Sequence, residues 1–191
     1  MPNDSRYKSL LERKLRECED TISKNSIETA FLFDQHGELI FEKKGNSGTV
    51  RFSKKELSQM HGNILTHNHS YNILLATYGI HSVFSESDLH LAYNQKPCEI
   101  RMVIGDERHS FQWTHANKVD ANHFLKQLLG IEAGAEAAHK KIDARLYAQK
   151  YKTHEEYLIA EYTTIKKYAD RAIKFFDDNS NIGYIFKKEV V

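Results

Sequence analysis

The chain has 191 residues, of which 40% are hydrophobic and 11% are aromatic. This composition predicts one folded domain, or one domain with an appendage, and excludes a disordered protein. The formal net charge of +1 at pH 7 gives no reason to expect a nucleic acid or an anionic membrane as partner. The N-terminal residues do not resemble a signal peptide, no apolar run reaches the length of a membrane span, and the two cysteines form no disulfide framework or metal-binding spacing. We therefore expect a cytoplasmic protein.

The first quarter of the chain predicts one helix and a hairpin. Apolar residues recur at intervals of three or four across residues 5–23, which predicts an amphipathic helix packed on the domain by one face. Residues 27–33 predict a strand, residues 34–37 a turn that ends in glycine, and residues 38–41 the returning strand. Residues 49–52 predict a third short strand.

Two helix starts and a histidine-bearing strand follow. Ser53 and Glu56 form a capping box that opens a short helix, and we expect Gly62 to end it. Residues 63–69 predict a strand, and Ser85 is the predicted N-cap of a helix that continues to about Asn94. Residues 70–84 are apolar but lack a clear period. Two interpretations stay open for them: a lid or partner-docking flap, or a short helix in the core.

The second half of the chain predicts a hairpin and then helices. Residues 97–104 and 110–114 predict strands joined by residues 105–109. Asp120 can cap a helix that carries apolar residues at 124–129, and a further apolar stripe covers 131–149. A capping box at Thr153 opens another helix, and residues 182–186 predict an edge strand.

This order of elements predicts an α/β or α+β fold in which helices flank one mixed sheet. We expect three regions: an N-terminal helix (1–25) that packs on the core, a core domain (26–116) and a helical C-terminal extension (117–191). The segment from Lys118 to the C-terminus carries 13 Lys and Arg against 11 Asp and Glu. This balance favours helices that pack on each other, on the N-terminal helix or on a second copy of the chain, over a face that binds nucleic acid.

His67 and His69 occupy positions i and i+2 of the predicted strand, so their side chains point to one face. Two imidazoles and a carboxylate, here Asp88, are a usual protein set for a catalytic zinc. With 11 histidines in the chain, about 0.6 His-x-His pairs are expected by chance, so the pair alone defines no site. Asp88 in a first helical turn would also favour the helix dipole. The apolar strand before the pair and the Ser-x-x-Asp sequence after it favour a metal site.

The ordered elements Glu28, His-x-His (67–69) and Ser-x-x-Asp (85–88) resemble the signature of the JAB/MPN (JAMM) metallopeptidase superfamily. The segment 28–40 is similar to the glutamate-bearing strand and hairpin of the RadC-like branch of that superfamily. Thr-His-Asn-His at 66–69 is similar to the corresponding sequence of bacterial members.

Residues 84–89, followed by 99–103, are similar to small JAB-like domains that accompany phage and mobile-element proteins. The resemblance covers about residues 26–114. Ser70 stands where members of the superfamily usually have proline, and the segment between the second histidine and the serine is longer than usual.

The resemblance implies a JAB/MPN-like (cytidine deaminase-like) fold and a zinc-dependent hydrolase of peptide or isopeptide bonds, typically near the C-terminus of ubiquitin or a ubiquitin-like protein. It implies that His67, His69 and Asp88 hold Zn²⁺, which can lower the pKa of a bound water to roughly 7. Glu28 would then take the proton of that water and pass it to the leaving amine. The Ser85 hydroxyl would hydrogen-bond the developing oxyanion.

Glu38 and Glu42 are rivals for the catalytic glutamate, although Glu28 fits the strand position better. The expected partner is a protein or peptide substrate, and a further protein or a second copy of the chain could dock on the C-terminal helices. Two alternatives stay open. One is a catalytically inactive protein-binding module with the same fold, and the other is a RadC-like DNA-linked protein, which the near-neutral charge disfavours.

Overall fold

A mixed six-stranded sheet with the order β2-β1-β3-β4-β5-β6 forms the centre of the fold. The structure is a computed structural model, and it describes residues 4–71, 84–113, 121–147, 150–178 and 184–190. All neighbouring strands pair antiparallel except β3 and β4, which are parallel. The strands are β1 (Thr29–Phe33), β2 (Leu39–Lys44), β3 (Ile64–Asn68), β4 (Glu99–Ile104), β5 (Glu107–Trp113) and β6 (Tyr184–Val190).

Helices cover both faces of this sheet. The described helices are α1 (Asp4–Ile22), α2 (Lys54–Ser58), α3 (Glu86–Gln95), α4 (Ala121–Tyr147) and α5 (His154–Asp178). Helix α1 packs on one face of the sheet, whereas α3 packs on β4, β5 and α4, and α4 and α5 pack on each other. The prediction of an α+β fold with a mixed sheet flanked by helices is confirmed. None of the described helices is long and apolar enough to cross a membrane.

The two faces of the sheet bury alternate residues of each central strand. On the α3 face, Leu32 and Leu65 join a core with Leu89 of α3, and on the α1 face, Phe31 and Ile64 join a second core. Because successive side chains of a strand point to opposite faces, His67 shares the α3 face with Leu65. Both β1 and β3 are buried along their whole length.

Helix α1 is fixed to its face of the sheet by ion pairs, of which those to Glu19 are buried, as well as by apolar contacts. Arg101 of β4 donates to Glu19 Oε1 at 2.7 Å and to Glu12 Oε2 at 2.8 Å. Arg108 of β5 pairs with Glu19 Oε2 at 3.2 Å and also contacts Asp20. Buried charges are tolerated where each has a partner of opposite sign, and these pairs meet that condition.

Several predicted boundaries were wrong. Residues 49–52 form no strand, since they lack a neighbouring strand with which to pair. Helix α2 starts at its predicted capping box but ends at Ser58, with Gln59 as C-cap, so Gly62 lies beyond its end. The turn between β4 and β5 is only Gly105 and Asp106, because residues 107–109 already pair with β4.

The elements near the C-terminus follow the predicted helices and strand. The stripes at 124–129 and 131–149 belong largely to one helix, α4, and the tail forms β6, which pairs with β5 along its length. Residues 117–191 therefore contribute a strand to the sheet, and the division into three regions stays a prediction. Asp120 and residues 72–83, with the two interpretations given for the latter, lie outside the described residues.

Candidate metal centre

His67 and His69 lie at the C-terminal end of β3, on the α3 face. The amide of His69 donates to the carbonyl of Val103 at 3.2 Å, which continues the pairing of β3 with β4 past the end of the strand. The two imidazole rings are 5.2 Å apart between centroids. His67 is buried, and His69 is partly exposed. The strand geometry thus brings both rings to one point, as the i and i+2 spacing predicts.

Asp88 reaches the two histidines from the first turn of α3. Its Oδ1 lies 3.1 Å from His67 Nε2, and its Oδ2 lies 3.1 Å from His69 Nε2. Phe84, two residues before the helix, is buried and makes edge-on contacts with Phe111 and Phe186. These contacts place the start of α3 against the sheet, and so place Asp88 over the histidines.

A capping box orients the Asp88 carboxylate. Ser85 is the N-cap of α3, and Asp88 N donates to Ser85 Oγ at 3.2 Å. In return, Asp88 Oδ2 accepts from Ser85 N at 2.8 Å and from Ser85 Oγ at 2.7 Å. The reciprocal bonds satisfy backbone amides that a helix start leaves free. They also fix the rotamer of Asp88, so the same residues that start the helix position the carboxylate.

Glu28 lies one residue before β1, on the face that carries the histidines. Ala30 pairs with His67 in the antiparallel register of β1 and β3, and continuing this register by two residues places Glu28 opposite His69. The backbone of Glu28 is held by two bonds, from Glu28 N to Asn46 O at 2.9 Å and from Gly45 N to Glu28 O at 2.8 Å. The Glu28 side chain therefore enters the same cleft.

The rival glutamates lie elsewhere. Glu38 and Glu42 are both exposed, and Glu38 pairs with Lys14 of α1 at 3.4 Å. Neither residue lines the cleft that contains the two histidines. Of the three glutamates weighed from the sequence, Glu28 is the one that the structure places at the histidine pair.

The cleft has a volume of about 340 Å³ and is lined by both polar and apolar residues. All five side chains predicted from the sequence to form the site line this cleft. Gly48, Thr49 and Ser87 also border it, and four apolar residues complete the lining: Val50, Phe52, Leu65 and Leu91. Nothing in the sequence pattern indicated that these four residues would adjoin the site, because the contact joins a loop, a strand and a helix.

Burial and neighbouring charges shift the pKa values of His67, Asp88 and Glu28. Burial alone would lower the pKa of His67, but the Asp88 and Glu28 carboxylates outweigh it, so that the pKa of His67 is raised. Burial opposes ionisation of Asp88, yet the two histidines hold its pKa well below the usual range. Burial raises the pKa of Glu28, while His69 and His67 oppose this shift. Such displaced values are typical of functional sites and also of structural ion pairs.

The residues present fit a metal ion. Both ring nitrogens of His67 are buried, and Nε2 faces Asp88 Oδ1 at 3.1 Å. One ligand atom each from His67, His69 and Asp88 can be chosen so that all three lie within 4.8 Å of one another. Two imidazole nitrogens and one carboxylate oxygen suit a transition metal and leave coordination positions open. The group could therefore hold a metal ion.

Asn68, between the two histidines, is a site residue that the sequence analysis missed. Its side chain is fully buried on the α1 face. Asn68 Oδ1 accepts from Thr29 N at 2.7 Å, and Nδ2 contacts the carbonyls of Asn25 at 3.3 Å and Ile27 at 3.2 Å. Hydrogen bonds on the α1 face, opposite the cleft, thus connect the segment that carries Glu28 to β3. The sequence motif could not show this, because any residue can separate the histidines.

No protein-family model, no curated protein and no solved structure matches this chain. The geometry of the cleft and its metal-binding group are therefore the observations from which a function can be proposed.

Proposed function

We propose that this chain is a zinc-dependent hydrolase with a JAB/MPN-like fold, which cleaves a peptide or isopeptide bond of a protein or peptide substrate. The observation that carries the proposal is the convergence of Glu28 and Ser85 on the group His67, His69 and Asp88. These residues come from three separate elements of the chain. Their order is that of the JAB signature, and their side chains line one cleft.

In this proposal His67, His69 and Asp88 hold the metal ion through Nε2, Nε2 and a carboxylate oxygen. When bound, zinc supplies a Lewis acid and can bring the pKa of a water ligand to roughly 7. The buried position of His67 and the capping box around Asp88 keep these donors in place without the metal. The site is thereby preorganised, which is what a metal centre needs from the protein around it.

Glu28 is the proposed proton carrier. It is half-buried in the cleft, and its carboxylate is a group that can serve as a general base. Its position opposite His69 puts it beside the metal-binding group. Glu28 would take a proton from the attacking water and return it to the nitrogen of the leaving amine.

Ser85 is the proposed hydrogen-bond donor to the substrate oxygen on which negative charge develops. In the structure its hydroxyl is already engaged, with Asp88 Oδ2 at 2.7 Å and with Ser87 Oγ at 2.7 Å. The proposed role therefore requires the hydroxyl hydrogen to turn from Asp88 toward the substrate. Asp88 Oδ2 keeps the backbone amide of Ser85 as a donor when this happens.

The first test is metal content after purification without an affinity tag. We expect about one zinc per chain, lost in His67→Ala and Asp88→Asn and retained in His61→Ala, which changes an exposed histidine outside the cleft. Two histidines and one carboxylate also serve non-haem iron enzymes. Iron in place of zinc, or no metal in the presence of excess zinc, would therefore refute the proposal.

The second test separates metal binding from hydrolysis. Glu28→Gln is expected to keep the zinc but lower the rate of peptide or isopeptide cleavage by about 10²–10⁴, because it removes the proton acceptor. Cleavage is measured with a mixed peptide library and with ubiquitin-like conjugates, read by mass spectrometry. Zinc binding without cleavage of any of these substrates would instead favour a metal-bound protein-binding module.

A further inference from the structure

Four apolar residues, Val50, Phe52, Leu65 and Leu91, line the cleft that contains the metal-binding group and belong to one packed cluster, and together they are called the wall. Leu65 lies two residues before His67 on the same face of β3 and is only 2% exposed. Leu91 lies three residues after Asp88 on α3, so the two side chains fall on one side of that helix. Both residues line the cleft together with the polar groups. Part of the wall therefore comes from the same strand and helix that carry His67 and Asp88.

Val50 and Phe52 form the other part of this wall. Both are half-buried while Arg51 between them is exposed, the alternation expected of an extended segment with one face turned inward. Phe52 is supported by Phe41 of β2, whose ring centroid is 6.0 Å away. The turn before this segment is held by Asn46, whose Oδ1 accepts the amides of Gly48 and Thr49 at 3.0 Å each. The wall is therefore preformed.

A preformed apolar wall that borders an open cleft favours an apolar ligand group, because covering the wall removes its surface from water. The distance between Leu65 and His67 along β3 indicates which part of a peptide substrate would carry this apolar group. Leu65 and His67 are two residues apart, roughly 7 Å along a strand, which is about the length that two residues of an extended peptide span. A peptide bond held at the metal-binding group therefore places the side chains of the adjoining residues within reach of the wall.

We propose that Val50, Phe52, Leu65 and Leu91 form a specificity subsite for a large aliphatic or aromatic side chain next to the scissile amide bond. This inference rests on the proposed hydrolase function and deepens it. A substrate tail with glycine at that position would leave the partly exposed side chains of Val50, Phe52 and Leu91 in contact with water. The chain should therefore prefer substrates with leucine or phenylalanine at the bond over substrates that end in glycine.

The test uses zinc-loaded full-length protein and sets of peptides that differ only in the residue on either side of the scissile bond, which is leucine, phenylalanine or glycine. We expect kcat/KM for the leucine or phenylalanine peptide to exceed that for the glycine peptide by at least about 10-fold on one side of the bond. Equal kcat/KM for all three residues on both sides would overturn the subsite.

Val50→Trp fills the subsite, and Arg51→Ala, which changes an exposed neighbour, is the matched control. Filling the subsite should lower kcat/KM more for the leucine peptide than for the glycine peptide, so that the preference for leucine is lost, whereas Arg51→Ala should keep the wild-type preference. A fall of equal size for both peptides would show that Val50 has only a structural role and would refute the inference.

A binding measurement separates failure of the subsite from failure of the hydrolase proposal. The affinities of the same fluorescently labelled peptides for zinc-loaded Glu28→Gln are compared by anisotropy. Tighter binding of the leucine peptide supports the subsite even if wild-type protein cleaves no peptide, a result that would refute hydrolysis alone. Equal affinities would refute the subsite whatever the outcome for cleavage.

Discussion

The side chain of Asn68 holds together the two segments that carry the candidate site. Truncating it in Asn68→Ala leaves the buried amide of Thr29 and the carbonyls of Asn25 and Ile27 without these partners. Since the unsatisfied buried amide of Thr29 costs about 1–3 kcal/mol and each part-buried bond to a carbonyl contributes up to about 1 kcal/mol, we expect a loss of about 2–4 kcal/mol in the free energy of unfolding. Urea unfolding in the presence of EDTA measures this loss without a contribution from bound metal.

Asn63→Ala is a suitable comparison for Asn68→Ala. Within the described ranges its side chain makes one hydrogen bond, from Nδ2 to Gln59 O at 2.7 Å, so its removal should cost only about 1 kcal/mol. If the two substitutions destabilise the protein equally, the bonds of Asn68 are not what fastens β1 to β3.

At the scale of single residues, the sequence alone identified the side chains proposed to bind a metal or transfer a proton. It did not identify the residues that hold these side chains in place or line the cleft beside them. His67 and His69 converge because the period of a strand is local and can be counted along the chain. Asn68 and the apolar wall could not be found in this way. Their contacts join residues far apart in sequence, and neither asparagine between histidines nor scattered leucines form a pattern with one structural meaning.

At the scale of elements, the N-terminus of α3 is stabilised by a capping box, whereas its C-terminus has a strained backbone conformation. Its N-terminus has the complete capping box of Ser85 and Asp88, but its C-cap, Lys96, has φ of +50° and ψ of +51°. This left-handed conformation is unfavourable for any residue with a Cβ, by roughly 1–2 kcal/mol, and glycine avoids that strain. Lys96 is exposed, so its side chain contributes little packing.

We therefore expect Lys96→Gly to stabilise the protein by about 0.5–1 kcal/mol, after the greater flexibility of glycine in the unfolded chain offsets part of the gain. Lys96→Ala removes the same side chain but keeps a Cβ, and should give no such gain. Both values come from urea unfolding curves. An equal effect of the two substitutions would show that backbone strain at this position is not responsible.

Helix starts could be predicted because their determinants are local. The boxes of Ser53 with Glu56 and of Ser85 with Asp88 each bond within four residues, and both helices begin where the sequence predicts. The segment 49–52 has the composition of a strand, yet it forms none, since a strand also requires a partner and pairing is decided by the rest of the fold. Gly62 likewise has a left-handed φ of +72° but turns the chain after α2 has already ended.

At the scale of the whole molecule, both ends of the chain support the site. The C-terminal strand β6 carries Phe186, whose ring lies 6.4 Å from that of Phe84, and Phe84 in turn sets the start of α3. Helix α1 supports the opposite face, where Arg101 of β4 reaches Glu12 and Glu19. Contacts from β6 and from α1 therefore stabilise the candidate core of residues 26–116 on opposite faces of the sheet.

The attachment of α1 should depend on pH through Glu12. Burial favours the neutral form of this carboxyl, but the neighbouring Arg101 and Arg16 outweigh burial and lower its pKa below 4.5. A lowered pKa in the folded state means that ionised Glu12 stabilises the fold above its usual pKa, and that this contribution is lost as the pH falls through the folded value. Because the Glu12 side chain is 43% exposed, solvent screening limits the effect to about 0.5–1 kcal/mol.

Unfolding of wild-type protein and Glu12→Gln, measured in urea with EDTA from pH 3 to pH 7, tests this dependence. At pH 6–7 the wild-type protein should be more stable by about 0.5–1 kcal/mol, and this advantage should shrink as the pH falls below 4.5 and through the lowered pKa of Glu12 in the folded protein. Glu17→Gln changes an exposed carboxyl on the same helix and should stay within about 0.5 kcal/mol of wild type throughout. An advantage over Glu12→Gln that persists unchanged at pH 3 would mean that Glu12 holds α1 by packing, and that its charge contributes nothing to the attachment of the helix.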